Sequence, residues 1–109
     1  MKKRILVVED DPAILTGLVD LLEGEGFTVE QAVDGAAALA RHAEARPDLV
    51  LLDVMIPEKS GYEVCREIRR TDASTPVIML TAKGEETDRL VGRSGTERAV
   101  FSLIGPAEL

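Results

Sequence analysis

Three carboxylates stand directly after apolar runs in this 109-residue chain: Glu9 and Asp10 follow Arg4 to Val8, and Asp53 follows Leu49 to Leu52. In open α/β sheets, ligands bind outside the carboxyl ends of the strands, near the switch in strand order. If the two runs are neighbouring strands, the three side chains converge at one sheet edge. Carboxylates crowded together repel one another. A hard divalent cation relieves the repulsion, and Mg2+ takes one or two carboxylates together with waters and phosphate oxygens. The residue types therefore point to an Mg2+ site with an open face at Glu9, Asp10 and Asp53. Asp11 reads differently, because Pro12 after it makes it a helix cap.

The elements that must hold these groups alternate along the chain. Arg4 to Val8, Leu49 to Leu52 and Val77 to Leu80 are almost wholly apolar, as expected of strands buried on both faces of a parallel sheet. Thr28 to Ala32 is interrupted by Glu30 and Gln31 and reads as an edge strand; Ala99 to Phe101 is a candidate fifth strand. Helical stretches lie between them. One opens at Asp11-Pro12, carries Leu15, Leu18, Val19 and Leu22 on one face, and ends near Gly24. A second opens at Asp34-Gly35, with Ala36, Leu39, Ala40 and Ala43 expected to face inward and His42 expected on the solvated face. A third opens on the capping-box pattern Ser60-Gly61-Tyr62-Glu63 and buries Val64, Cys65 and Ile68. A fourth is expected from Gly84 to Gly92. The order β-α-β-α-β-α-β-α-β predicts a doubly wound α/β fold, a parallel five-stranded sheet flanked by helices.

Composition bounds what such a fold can do. Hydrophobic residues make up 45% and charged residues 30% of the chain, which is ordinary for a globular domain. The formal net charge of −7, from 20 acidic against 13 basic residues, works against direct nucleic-acid binding, which calls for a basic face. No apolar run approaches the roughly 18 residues of a membrane span. The stretch Ile5 to Val8 after the basic N-terminus is too short for a secretory signal. Cys65 is the only cysteine, so an internal disulfide is excluded and a cytoplasmic setting is expected.

The stretches Ile5-Leu6-Val7-Val8-Glu9-Asp10-Asp11, Asp53-Val54-Met55-Ile56-Pro57 with Gly61, and Thr81-Ala82 together resemble the receiver domains of bacterial two-component response regulators. The resemblance runs from residue 2 to about 92, and it implies the flavodoxin-like receiver fold for one domain over residues 1–109. It further implies a phosphoacceptor switch in which Asp53 takes a phosphoryl group from a sensor histidine kinase. Mg2+ would be held by Glu9 through water, by Asp10, by Asp53 and by the backbone carbonyl of Met55. Thr81 would hydrogen-bond the phosphoryl group. Such a domain catalyses at most its own phosphorylation and dephosphorylation. A metal-dependent phosphatase of similar topology would need an aspartate two residues after Asp53, where Met55 stands.

The resemblance breaks after Gly92. Aligned on Pro106 to Leu109, the family's lysine and proline positions fall on Ser102 and Leu103, its aromatic switch position falls on Ala99, and no lysine follows Lys83. The last helix is largely missing, so the domain reads as incomplete at its C-terminus. That leaves an apolar sheet face on which a homodimer could form. The alternative reading is a pseudo-receiver, a protein-interaction module that works without phosphorylation.

Overall fold

The structure is a computed structural model that describes residues 2–81 and the backbone of residues 100–104; the side chain of Thr81 is not among the described atoms. Its elements are β1 (Arg4–Val8), α1 (Pro12–Gly24), β2 (Thr28–Ala32), α2 (Gly35–Ala45), β3 (Leu49–Asp53), α3 (Gly61–Thr71), β4 (Val77–Thr81) and β5 (Val100–Ile104). The helix expected at Gly84 to Gly92 lies outside the described residues.

The sheet order is β2-β1-β3-β4-β5, with β1, β2, β3 and β4 parallel. Chain order reverses direction between β1 and β3, so the carboxyl ends of these two strands flank the crevice where such sheets bind ligands. β1, β3 and β4 are buried on both faces and alternate their side chains between two cores. Leu6, Val8, Val50, Leu52, Val77 and Met79 meet α2 and α3 through Ala38, Val64, Cys65 and Ile68. Ile5, Val7, Leu51 and Leu80 meet α1 through Leu15 and Val19.

β5 departs from the expected all-parallel sheet. It pairs antiparallel with β4, Val77 opposite Ile104 and Thr81 opposite Val100. A parallel fifth strand requires a crossover that returns the chain to the opposite end of the sheet; the antiparallel sense does not. Val100, Phe101, Leu103 and Ile104 favour strand in either sense.

The helices begin where local chemistry dictates. Asp11 accepts hydrogen bonds from the amides of Ala13 and Ile14, and Pro12 occupies the first helical position of α1. Asp34 accepts from the Ala37 amide at the start of α2. Ser60 and Glu63 form the reciprocal capping box that opens α3.

α2 is rotated relative to the expectation from sequence. Ala38 and His42 face inward, whereas Ala36, Ala40 and Ala43 are exposed. Alanine gains little from burial, so a run of alanines sets no strong phase. Leu39 packs against the core as expected, and the inward face also makes a polar contact: the His42 ring nitrogen Nε2 lies 2.9 Å from Asp72 Oδ2, at the C-terminal end of α3. His42 is therefore 9% exposed, not on a solvated face.

Candidate metal and phosphoacceptor site

Glu9 continues β1 by one residue, its amide donating to the Ala32 carbonyl at 3.0 Å. This extension of the β1–β2 ladder turns the side chain inward, where one carboxylate oxygen accepts the Asp11 amide at 3.1 Å. Asp10, next along, is exposed. Asp53 ends β3, in register with Leu80 of β4, and is 1% exposed. Each of Glu9, Asp10 and Asp53 offers a carboxylate oxygen, and these atoms lie within 4.8 Å of one another. Two of the three are buried and one faces solvent, which gives a site with a protein floor and an open side. Hard oxygen donors at this spacing fit a divalent cation such as Mg2+, with water or a ligand oxygen completing the shell.

The loop after Asp53 is tied back onto it. The Met55 amide donates to Asp53 Oδ1 at 3.2 Å, so the backbone of Met55 borders the site while its side chain is 71% exposed. The Val54 amide continues the ladder to the Leu80 carbonyl at 3.1 Å, and the Gly61 amide returns to the Val54 carbonyl at 2.8 Å. Between these anchors Glu58 takes φ 76°, and the Lys59 amide donates to the Pro57 carbonyl at 2.9 Å. That is a γ-turn of the strained, positive-φ sense.

Gly61 closes the loop, and its place admits no side chain. A Cβ there would stand 2.5 Å from the Asp53 carbonyl oxygen and 2.8 Å from Val54 Cα, backbone atoms that cannot step aside. The nine-residue span from Asp53 to Gly61 is thus a closed loop whose ends touch.

Thr81 ends β4, one residue past the register partner of Asp53, so its backbone reaches the same sheet edge. The sequence-predicted Glu9, Asp10 and Asp53 are brought together; Met55 and Thr81 border them through their backbones. The sequence missed the His42–Asp72 pair, at the other end of the strands. Burial raises the Asp72 carboxyl, but hydrogen bonds from Thr75, His42 and Ser74 outweigh it and hold the group well below the usual carboxylate range. The signal was available in Asp72-Ala73-Ser74-Thr75, a run in which an Asp side chain turns back on the amides two and three residues on.

Comparison with known proteins gives the family and the fold. The response regulator receiver domain family matches residues 5–96. The DNA-binding response regulator MtrA of Mycolicibacterium smegmatis is 46% identical over the whole of this chain, which corresponds to 48% of that protein. The chain thus spans about half the length of the curated relatives it matches. Among solved structures, a CheY-like receiver domain protein from Methanospirillum hungatei aligns with a TM-score of 0.75 at 31% identity, covering 82% of this chain and 71% of that one. The response regulator TrrA of Thermotoga maritima, solved in complex with Mg(2+)-BeF, aligns with a TM-score of 0.72 at 42% identity, covering 77% of this chain and 72% of that one. No helix among the described residues is long and apolar enough to cross a membrane. With its sheet order, its acidic crevice and a match over most of its length, the chain belongs to the response regulator receiver domain family.

Proposed function

We propose that Asp53 is the phosphoacceptor of a two-component signalling switch and that Glu9, Asp10, Asp53 and the Met55 carbonyl form its Mg2+ site. The observation that carries this reading is the convergence of three carboxylate oxygens within 4.8 Å around a buried strand-end aspartate. An Asp53 carboxylate oxygen attacks the phosphorus of a phosphohistidine on a sensor histidine kinase. The new O–P bond forms as the N–P bond breaks, and the electron pair leaves on the imidazole. When bound, Mg2+ neutralises charge on the phosphoryl oxygens, which is much of what phosphoryl transfer requires. The Met55 amide fixes the rotamer of Asp53, and Thr81 takes a phosphoryl oxygen after transfer. The location is the cytoplasm, and DNA binding, stated by name for the relative MtrA, would belong to a part of a longer protein.

The test is intact mass after incubation with Mg2+ and a small phosphodonor. One phosphoryl increment is expected, absent in Asp53→Asn; an increment that persists in the variant places the nucleophile elsewhere. A second reading, a pseudo-receiver that binds partners without phosphorylation and dimerises through its C-terminal face, is favoured by the lack of any lysine after Lys83. It predicts no increment in either protein.

A further inference from the structure

A cavity of about 580 Å³ opens between the C-terminal ends of α2 and α3, lined in part by His42, Arg46, Thr71, Asp72 and Thr75. The parallel strands start at this end, so the cavity lies across the sheet from Glu9, Asp10 and Asp53. We infer that it is a binding site for a small oxyanion that still carries a hydroxyl, a phosphate or a hydroxycarboxylate.

Asp72 is saturated, accepting from the Ser74 and Thr75 amides, from both of their hydroxyls and from His42. The other carboxylates nearby are also engaged: Asp48 accepts the Arg4 amide, and Glu44 pairs with Arg41. Because Asp72 is an acceptor, His42 presents its Nε2 as N–H to it, and the Nδ1 of a neutral ring is then an acceptor. Among the described residues Nδ1 has no partner, and neither do the Arg46 guanidinium and the Thr71 hydroxyl.

The unmatched groups lining the cavity are therefore one fixed cation, one acceptor on a nearly buried ring, and one hydroxyl able to play either part. Their complement is a negative oxygen for Arg46 and an O–H for His42 Nδ1 on the same small molecule. The Asp72 carboxylate and the negative C-terminal ends of α2 and α3 oppose an anion; Arg46 at the cap of α2 and Arg69 and Arg70 in the last turn of α3 counter them. The volume lies within the range of sites for small molecules.

His42 is the only histidine, so its imidazole resonances can be read without ambiguity in the full chain. The probes are inorganic phosphate and malate, each titrated without Mg2+ at constant pH and ionic strength. Sulfate and succinate, which carry charge without the hydroxyl, are the controls. A saturable shift of the His42 ring with phosphate or malate is expected at around millimolar concentration. It should be at least about fivefold weaker with the matching control, which lacks the hydrogen bond. The response of one probe and not the other identifies which oxyanion the site takes. Arg46→Gln should abolish saturation, whereas Arg66→Gln, the same charge change at an exposed position of α3 outside the cavity lining, should not. Equal responses to probe and control, a response that never saturates, or one unchanged in Arg46→Gln overturns the proposal.

Discussion

Gly61 stands against the peptide of Asp53 so closely that a single added carbon would fall 2.5 Å from the Asp53 carbonyl oxygen. Gly61→Ala must therefore push α3 or the end of β3 out of place. The expected cost is about 1–3 kcal/mol of stability, the usual range for overpacking. Because the displaced atoms belong to Asp53 itself, phosphoryl acceptance should fall further than stability alone explains. Urea unfolding and phosphodonor labelling of the folded protein, measured on the same samples, check both. Normal labelling in a destabilised variant would show that Asp53 holds its position independently of α3.

Asp10 is the exposed member of the acidic group and contributes nothing to the core. Asp10→Asn should leave the fold intact while weakening Mg2+ binding about tenfold or more, since a hard cation depends on carboxylate charge. Calorimetric titration with Mg2+ decides the point, and an unchanged affinity removes Asp10 from the metal site.

Asp72 gives the fold an acid-sensitive contact. Its carboxyl is depressed in the folded state, so the stability it contributes is fully present above the unfolded value near 4. That contribution is lost progressively as pH falls below about 4 toward the folded value. Asp72→Asn should cost about 1–3 kcal/mol at pH 7, where it removes a charged acceptor of several hydrogen bonds. The gap between wild type and variant should narrow at pH 3. Urea midpoints at the two pH values measure it, and a gap of constant size refutes the assignment.

Cys65 is buried among Val64, Ile68 and the sheet, and burial pushes its thiol up despite Arg69 and Arg66 nearby. A thiol reagent should therefore leave the native protein unmodified for hours and label it promptly in urea. Prompt labelling under native conditions would mean that α3 opens locally.

The strands were legible because burial on both faces leaves little but Val, Ile and Leu, and the helix starts because Asp11-Pro12 and Ser60 to Glu63 carry their own caps. The acidic crevice was legible too, once Glu9, Asp10 and Asp53 were placed at strand ends. The inward face of α2 was legible only at Leu39, since the alanines around it encode no strong phase and the His42–Asp72 contact on that face joins residues 30 apart in sequence. The sense of β5 was hidden for a related reason: an apolar run states that a strand is buried and says nothing of the direction in which its neighbour runs. That Gly61 was needed for want of space, and not for its backbone freedom, emerged only with Asp53 beside it.

β1 serves two cores at once, giving Leu6 and Val8 to the side of α2 and α3 and Ile5 and Val7 to the side of α1, and its next residue is Glu9. The two cores share that backbone, so neither can melt and leave the other standing. Cys65 on one side and Phe27 on the other should report a single coincident transition. The acidic crevice then has no partly unfolded form in which it survives, and its occupancy by a cation would register as a rise in the melting temperature of the whole domain.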